Sequence, residues 1–308
     1  MVLAPVEVPA EFAQRVAQVW GESGRQWVDR LPALVEACAR RWSLTVGPPF
    51  PLSYSYVAPA TRADGSPAVV KLGVPGVREL ATGAEALRLA GGDGLVRLLD
   101  ADLAVGALLL ERVEPGDRLA VVAAKDDQAA TAVLVDVMRR IHRPVLEPSG
   151  FPTVADWGQA FVELRERHGG GTGPVPARLV EPAERLYAEL VASSAPPVLL
   201  HGDLHHDNVL RSTRAGWLAI DPKGLLGEPA FEVGPLLHNP WQDLLTWPDP
   251  AQLLARRVDQ LAEGLGVDRE RVRAWGFAFA VLSAVWFDED GGPVDPHPLR
   301  CAELLLEL

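Results

Sequence analysis

Cysteine and lysine are both scarce in this chain, and each scarcity narrows what the protein can be. The 308 residues include two cysteines, Cys38 and Cys301, which are too few for a disulfide framework or a cysteine metal site. Three of the 29 basic residues are lysines, Lys71, Lys125 and Lys223. Because arginine supplies the rest of the positive charge, the few lysines gain weight as candidate functional residues. Two of them lie within motifs that indicate chemistry.

Long apolar runs and an excess of positive charge are also missing. No run approaches the roughly 20 residues that a membrane-spanning helix needs, and the first residues lack the basic and apolar regions of a signal peptide. We therefore expect a cytoplasmic protein with no membrane partner. The formal net charge of −12 at pH 7 argues against nucleic acid as a partner and favours a cationic ligand through long-range steering.

The first third of the chain is predicted to be rich in strands. The predicted elements are helices at 11–42, with a break at 21–24, and at 79–89, and strands at 43–46, 53–59, 66–72, 95–100 and 107–112. The dipeptide Asp64-Gly65 is a strong hairpin signal between two of the strands. The strand PAVVKL alternates so that Lys71 can point away from its apolar neighbours. Together these elements predict a lobe that ends near residue 113.

The remainder is predicted to be mainly helical, with a surface loop at 168–177 and one polar strand pair at 198–222. Helical patterns mark the segments 126–141, 155–167, 182–193, 234–237, 251–265, 269–287 and 299–306. We find no internal repeat. The sequence therefore predicts an α+β fold in which residues 1–113 form a small antiparallel sheet with helices and residues 114–308 form a helical lobe.

Chemistry-bearing residues concentrate in one stretch, 198–222, which reads VLLHGDLHHDNVLRSTRAGWLAIDP. One apolar run leads into Asp203 and a second leads into Asp221, with Asn208 between them in sequence. Two carboxylates at strand ends and an amide supply the oxygen ligands that a hard divalent cation prefers. The stretch therefore predicts a cage for a cation and a phosphate group.

Phosphoryl transfer from a nucleotide requires positioning, charge neutralisation and a carboxylate that orients the acceptor hydroxyl. Asn208 follows Asp203 by five residues, and Asp221 lies 13 residues further on. In this interpretation Asp203 accepts the hydroxyl proton, while Asn208 and Asp221 hold Mg²⁺. Lys71 would neutralise the nucleotide phosphates.

Two other interpretations of this cluster stay open. Zinc is one, because His201, Asp203, His205, His206 and Asp207 are possible ligands that stand close together in sequence. The remaining histidines show no paired spacing that would complete such a site. The other interpretation is a solvated polar turn, and the strand lysine has the same alternative of simple exposure to solvent.

The stretch HGDLHHDNVL, followed by WLAIDPKGLLGEPAFEVG, resembles the aminoglycoside phosphotransferase family of the protein-kinase-like fold. Within that family the chain is similar to the streptomycin 6-kinase branch, the aminoglycoside and hydroxyurea resistance kinases. Supporting segments are WVDRLPALVEACARRWSL at 27–44, AVVKL at 68–72, GGDGLVRLLDAD at 91–102 and LLLERVEPGDRL at 108–119. The resemblance implies an N-terminal nucleotide-binding lobe and a helical C-terminal lobe with the catalytic loop, the metal site and the acceptor pocket.

The resemblance also implies residue roles. It assigns the base to Asp203, the Mg²⁺ ligands to Asn208 and Asp221, and the nucleotide phosphates to Lys71. It adds a hinge at 110–113, with Glu111 and Val113, whose backbone binds the purine of ATP or GTP. One departure is the loop GPPFPLSYSY after the first strand, which has one glycine and three prolines and therefore does not resemble the glycine-rich phosphate flap of protein kinases.

Two lysine partners are left as choices between alternatives. Glu79 is the expected partner of Lys71 because it lies near the start of its helix, and Glu85 is the alternative. Lys223, in the sequence Asp-Pro-Lys-Gly, could contact a phosphate or an acceptor. A structural pairing of Lys223 with Glu228 or Glu232 is the favoured interpretation.

A cationic acceptor is expected to bind carboxylates of the helical lobe. Asp288, Glu289 and Asp290 directly follow the helix predicted at 269–287. Acidic residues at a helix C-terminus are unfavourable for the helix dipole. The expected acceptor residues are His238, Asn239, Trp241, Trp286, Asp288, Glu289 and Asp290. A solvated acidic turn is the alternative.

We therefore expect a monomeric small-molecule kinase that transfers the terminal phosphate of ATP or GTP to an aminoglycoside hydroxyl, with the 6-hydroxyl of streptomycin as the expected acceptor and antibiotic resistance as the outcome. One alternative is a kinase of the same fold that acts on another small cationic or sugar metabolite. A second alternative is a nucleotide- or drug-binding protein without turnover, although such a protein would not need Asp203.

Overall fold

The computed structural model describes residues 8–145, 150–241, 243–289 and 291–308. The chain divides into two compact units, Met1–Glu114 and Pro115–Leu308. Helices and antiparallel strands both contribute, which confirms the predicted α+β class. Among the described residues no helix is both long and apolar enough to cross a membrane.

The first unit is a five-stranded antiparallel sheet with two helices. Its elements are α1 (Ala10–Arg41), β1 (Leu44–Val46), β2 (Tyr56–Arg62), β3 (Pro67–Leu72), α2 (Arg78–Ala90), β4 (Leu98–Asp102) and β5 (Ala107–Glu111). The strands lie in the order β1-β2-β3-β5-β4. The predicted hairpin between β2 and β3 is confirmed, and Gly65 has the left-handed φ of 82° that its turn requires.

The long first helix bends where the sequence predicts a break. Gly21 has φ 55° and ψ −129°, which interrupts the helical backbone of α1. Three residues later, a Cβ on Gly24 would lie 2.5 Å from the carbonyl oxygen of Val16. A glycine at position 24 therefore allows the two parts of the helix to pack closely at the bend.

The core of the first unit lies between α1 and one face of the sheet. Buried side chains of α1, among them Phe12, Trp27 and Leu31, pack in one cluster with Val70 and Leu72 of β3. The alternation in β3 is as predicted, because the residues on either side of Lys71 are buried and Lys71 is half-buried.

The second unit is mainly helical. Its elements are β6 (Pro115–Arg118), α3 (Ala120–Ala123), α4 (Asp127–Ile141), α5 (Val154–Trp157), α6 (Gln159–Arg167), α7 (Ala177–Ala192), β7 (Val198–Leu200), β8 (Val209–Ser212), β9 (Gly216–Ala219), β10 (Leu225–Gly227), α8 (Val233–Leu237), α9 (Pro250–Leu265), α10 (Arg269–Glu289) and α11 (Pro296–Glu307). The middle of helix α10, residues 274–285, is buried on all sides, and α6, α7, α8, α9 and α11 pack against the helix. The predicted loop at 168–177 has no regular structure before Ala177.

Two predictions for this unit are wrong. The expected single strand pair is two separate small sheets, since β7 pairs with β10 whereas β9 pairs with β8. The unpredicted partners are three or four residues long, too short to show a period. Helix α7 begins at Ala177 rather than at Pro182, which lies inside the helix. Proline favours the first helical turn, but here the turn before it is helical as well.

Candidate active site

The turn that follows β7 carries the proposed base. Gly202 has φ 85°, so the chain reverses there at a position that favours glycine. The backbone N–H of Asp203 donates to Nδ1 of His201 at 3.2 Å, and Nδ2 of Asn208 donates to the carbonyl oxygen of Asp203 at 2.9 Å. The predicted base and one predicted metal ligand are therefore adjacent, and hydrogen bonds fix the backbone between them.

A buried carboxylate supports this turn from inside the unit. Glu232 is fully buried, and its two oxygens accept the backbone N–H groups of His201 at 2.5 Å and Gly202 at 2.9 Å. Burial raises the pKa of Glu232, but the nearby imidazole of His142 and the N–H of Gly202 oppose this effect, and the net pKa is lowered. Glu232 is therefore an ionised anchor for the turn, a role that the sequence did not reveal.

His201 connects the two halves of the stretch. Its Nε2 lies 2.8 Å from the carbonyl oxygen of Ile220, and the N–H of Ile220 donates to the carbonyl oxygen of Asn208 at 2.8 Å. Burial lowers the pKa of His201, against the opposing charges of Glu232 and Asp203, so the ring is neutral at pH 7. Its Nε2–H donates to Ile220 while Nδ1 accepts, which makes His201 a structural link.

The carboxylate of Asp203 is available to a ligand. It is half-exposed, with Oδ1 3.8 Å from Nε2 of His205 and Oδ2 4.0 Å from Nζ of Lys223. Both distances exceed hydrogen-bond length, and neither oxygen accepts a hydrogen bond from another described residue. The lone pairs of Asp203 can therefore accept the proton of an incoming hydroxyl.

The residues next to it suit a hard cation. Asn208 donates through Nδ2, which leaves Oδ1 as a ligand, and the exposed Asp221 directly follows the residue that is hydrogen-bonded to the Asn208 backbone. Amide and carboxylate oxygens are the ligands that Mg²⁺ prefers. The two predicted metal residues thus fit a magnesium ion, and Asp221 has a left-handed φ of 60° that turns its backbone away from the strand direction.

The zinc alternative finds no ligand set in the structure. In the described ranges, no group of three or more histidine, cysteine, aspartate or glutamate side chains could hold a metal ion. His206 is buried, with Nε2 3.4 Å from Nη2 of Arg257, and Nδ1 of His205 accepts the N–H of Asp207 at 3.3 Å. The histidines that suggested zinc serve as scaffolding of the loop.

The favoured structural pairing of Lys223 is wrong. Glu228 is held by Arg271, with Nη2 to Oε1 at 2.6 Å, and Glu232 accepts the two backbone N–H groups described above. Lys223 instead extends to Asp203, because its own N–H donates to the carbonyl oxygen of His201 at 2.8 Å and so holds the loop beside the turn.

In the first unit, Lys71 and Glu79 lie on neighbouring elements. Lys71 stands between Val57 on β2 and Leu108 on β5, and Glu79 occupies the first turn of α2. Glu85, the alternative partner, forms an ion pair with Arg88 of its own helix. Glu79 stays the predicted partner of Lys71, and Glu85 already has an ion-pair partner within its helix.

The predicted hinge differs at its two candidate positions. Glu111 exchanges two hydrogen bonds with Arg97, because its N–H donates to the Arg97 carbonyl and its carboxylate accepts the Arg97 N–H, both at 3.0 Å. The backbone N–H and C=O of Val113 hydrogen-bond to no described residue. Of the two predicted hinge residues, Val113 is therefore the one whose backbone groups are available to a ligand. The proline-rich loop is hydrogen-bonded to β2, since the N–H of Phe50 donates to the carbonyl oxygen of Val57 at 2.9 Å.

Two expected acceptor residues are buried at the end of α8. His238 and Asn239 are 4% and 6% exposed, and their side chains donate to the carbonyl oxygens of Gly234 at 3.0 Å and Pro235 at 2.8 Å. Burial, followed by the charges of neighbouring histidines, lowers the pKa of His238 to about 3. Trp241 is half-exposed, and its ring stacks on His297.

The acidic end of α10 has one largely buried acid and one exposed acid. The Asp288 side chain is 10% exposed and accepts from Nε of Arg167 at 3.2 Å and from Nε2 of His168 at 2.9 Å. These partners offset the unfavourable position of an acid at a helix C-terminus. Glu289 is exposed, Trp286 lies between other aromatic rings, and Asp290 lies outside the described residues.

Comparison with known proteins identifies the family. A profile described as aminoglycoside/hydroxyurea antibiotic resistance kinase matches residues 41–291. The chain is 38% identical to streptomycin 6-kinase of Streptomyces glaucescens, over 97% of each chain. It is 37% identical to hydroxyurea phosphotransferase of Kitasatospora aureofaciens, over 98% of this chain and 87% of that one.

A solved structure supports the fold. Aminoglycoside phosphotransferase APH(3'')-Id from Streptomyces rimosus aligns with a TM-score of 0.56 and 22% identity, over 83% of this chain and 98% of that one. The predicted protein-kinase-like fold is confirmed, and so is the resemblance inferred from the motifs. The chain belongs to the aminoglycoside/hydroxyurea antibiotic resistance kinase family.

Proposed function

We propose that this protein transfers the terminal phosphate of ATP or GTP to a hydroxyl of an aminoglycoside, with the 6-hydroxyl of streptomycin as the acceptor and antibiotic resistance as the outcome. One observation carries the proposal: a half-exposed Asp203 carboxylate, without a hydrogen bond from any described residue, stands on the backbone turn that also positions Asn208. The similarity to a streptomycin 6-kinase directs the choice of acceptor.

Asp203 acts as the base in this proposal. It accepts the proton of the acceptor hydroxyl as that oxygen bonds to the terminal phosphorus, while the bond to the bridging oxygen breaks and the nucleoside diphosphate leaves. Asn208 and Asp221 would hold Mg²⁺, which neutralises phosphate charge when bound. Glu232 and His201 keep the turn in place and exchange no proton with the substrate.

The first unit supplies the nucleotide contacts in this proposal. Lys71, held by Glu79, pairs with the phosphates, and the backbone of Val113 binds the purine edge beside Glu111. The free backbone groups of Val113 support this assignment because a purine ring offers both a donor and an acceptor along one edge. Whether the donor is ATP or GTP is decided at this edge.

Carboxylates near the end of α10 bind the acceptor in this proposal. Streptomycin carries guanidinium groups on its streptidine ring, and these pair well with carboxylates. Glu289 and Asp290 would contact the cation directly, with Trp286 and Trp241 as apolar walls. Asp288, His238 and Asn239 would shape the site from behind, because their side chains are largely buried.

A second acceptor, hydroxyurea, follows from the relative of Kitasatospora aureofaciens, which is named a hydroxyurea phosphotransferase. Hydroxyurea is small and uncharged, so it would not use the acidic residues. Both acceptors would therefore use the base Asp203, but only streptomycin would use the acidic residues. Neutralising Glu289 should weaken the use of streptomycin and leave the use of hydroxyurea unchanged.

The test is mass spectrometry of streptomycin, hydroxyurea and choline after incubation with the enzyme, Mg²⁺ and either ATP or GTP. We expect streptomycin to gain one phosphate and to be the preferred substrate. Phosphorylation of another compound alone would replace the acceptor but keep the kinase assignment. Nucleotide binding without any phosphorylated product would support the binding-protein alternative.

We also propose that the protein is a monomer, which size-exclusion chromatography of the same preparation tests. The need for ATP supports a cytoplasmic location.

A further inference from the structure

Lys223 is held beside the proposed base by its backbone. Its N–H donates to the carbonyl oxygen of His201 at 2.8 Å, and the N–H of Gly224 donates to the same oxygen at 3.3 Å. The two chain segments approach so closely that a Cβ on Gly202 would lie 3.1 Å from Cβ of Lys223. The backbone of the loop therefore places the Lys223 side chain beside Asp203, and this placement does not depend on the ion pair between them.

Negative charge is concentrated around the proposed base. Phosphoryl transfer brings an anionic group against Asp203, and Asp207, Asp221 and Glu232 are nearby in the same stretch of chain. Three arginines close to the turn or to its supporting residues are paired with other acids. Arg118 pairs with Asp207, Arg257 with Asp127 and Arg271 with Glu228. Within the described ranges, Lys223 is the one lysine or arginine whose side-chain nitrogen lies within 4.0 Å of a carboxylate oxygen of Asp203.

The residue type fits a role toward a third group. At 4.0 Å, Nζ of Lys223 attracts Oδ2 of Asp203 without occupying its lone pairs. An arginine at this position could bind the carboxylate with two parallel hydrogen bonds and block the base, whereas lysine is a compact charge on a flexible stem. Arginine makes up nearly all of the basic residues of the chain, so lysine at this position departs from the general composition. The side chain is 28% exposed and within reach of a ligand.

We propose that Lys223 is a further catalytic residue, whose ammonium group contacts the non-bridging oxygens of the phosphoryl group as it passes from nucleotide to acceptor beside Asp203. The inference rests on the proposed kinase function. In the step, the acceptor oxygen–phosphorus bond forms, the bond from phosphorus to the leaving nucleoside diphosphate breaks, and the hydroxyl proton moves to Asp203. Lys223 stabilises the charge on the moving group and exchanges no proton.

The first test replaces Lys223 with methionine, which keeps the length of the side chain but removes its charge. Removal of one charge-stabilising donor typically costs about 10²–10³-fold in turnover. We expect a fall of that size in kcat for K223M, with the KM values for nucleotide and acceptor within about threefold of wild type and the same thermal unfolding temperature. K223R should not restore turnover. The matched control is Lys125→Met, which removes the exposed lysine of the same unit and should keep wild-type kcat.

A second measurement separates this inference from the choice of acceptor. Binding of Mg²⁺, ADP and tetrafluoroaluminate mimics the moving phosphoryl group, and it should be weaker in K223M by about the factor lost in kcat, while ADP alone binds equally to both proteins. Equal binding of the mimic would overturn the role of Lys223, as would wild-type turnover in K223M or rescue by K223R. A wild-type enzyme that binds the mimic but phosphorylates no aminoglycoside would contradict the proposed acceptor and leave Lys223 in place. Failure of wild type to bind the mimic better than ADP would overturn both proposals.

Discussion

The turn at 201–208 has two faces whose charged residues behave differently. On the buried face, Glu232 and Arg257 are fully buried, and every contact they make is with protein. On the open face, Asp203 is half-exposed and its carboxylate has no hydrogen bond from a described residue. Both faces carry charge at the same turn, so charge alone does not reveal function. What distinguishes the proposed chemistry is a carboxylate whose lone pairs are not already used.

The buried face is built around Arg257 of α9. Its guanidinium donates to Asp127 at the start of α4, with Nε to Oδ1 at 3.0 Å, and to the carbonyl oxygens of Leu236 at 2.9 Å and Asn239 at 2.6 Å. It also lies 3.4 Å from His206 of the turn. Burial lowers the pKa of Arg257, and the Asp127 carboxylate opposes this effect. One side chain thus connects the turn to α4 and to the end of α8.

The largest effect should follow from Asp203→Asn. Loss of the base should lower kcat by about 10²–10⁴-fold, because the amide cannot accept the hydroxyl proton. The free energy of unfolding should change by less than about 0.5 kcal/mol, since the carboxylate is half-exposed and makes no hydrogen bond to the described protein. Steady-state kinetics and urea unfolding of the same preparation measure both quantities. Turnover near that of wild type would show that the open face does not hold the base.

Arg257→Met should produce the opposite result. Removing the buried partner of an ion pair typically costs about 3–5 kcal/mol, and Asp127 would keep only the partly exposed Arg256, so the free energy of unfolding should fall by about that amount. Arg256→Met is the matched control, because Arg256 contacts the same Asp127 at 2.9 Å but is 44% exposed. An exposed pair contributes about 0–1 kcal/mol. Equal losses in the two variants would remove the distinction between the faces.

A pH experiment tests the buried end of α8. The pKa of His238 falls to about 3 in the folded protein, so the unfolded chain binds the proton more readily. The resulting stability is complete above about pH 6.5 and is lost as the pH falls toward 3. Between pH 7.5 and 4.5 His238 should account for a loss of about 2–3 kcal/mol. Urea unfolding should show a smaller pH dependence for His238→Phe by that amount, and an unchanged dependence would contradict the burial of a neutral ring.

The smallest effects concern the two acids at the end of α10, of which Asp288 is largely buried and Glu289 is exposed. Asp288→Asn should cost about 1.5–3 kcal/mol of stability because it weakens charged hydrogen bonds to the partly exposed Arg167 and His168. Glu289→Gln should change stability by less than about 0.5 kcal/mol and raise the KM for streptomycin severalfold. An unchanged KM for streptomycin in Glu289→Gln, together with equal use of hydroxyurea and streptomycin, would contradict the proposed acidic acceptor site.

The open face could be predicted from sequence, whereas the buried face could not. The spacing of Asp203, Asn208 and Asp221 along the chain was enough to predict a base and two metal ligands, because these residues follow apolar runs that end at a turn. The role of Glu232 depends on hydrogen bonds to residues about 30 positions earlier in the chain. No local pattern records such a contact.

The same limit explains the errors in the fold. Strands β8 and β10 are defined by their partners in the sheet and not by their own short sequences. The pairing of Lys223 failed because Glu228 and Glu232 are nearer to it in sequence, while the backbone of the loop directs the lysine to Asp203. The sequence alone did not show that the turn brings Asp203 close to Lys223. By contrast, the hairpin at Asp64-Gly65 and the break in α1 depend on glycine at the site itself and were predicted correctly.

The most direct test of the central claim is the rate at which wild-type protein and Asp203→Asn transfer labelled terminal phosphate from ATP to streptomycin in the presence of Mg²⁺, with the folded fraction of each measured by circular dichroism. The account predicts phosphorylated streptomycin from wild type and a rate about 10²–10⁴-fold lower from an equally folded Asp203→Asn. Equal rates from the two proteins, or no phosphorylated product from folded wild type, would contradict it.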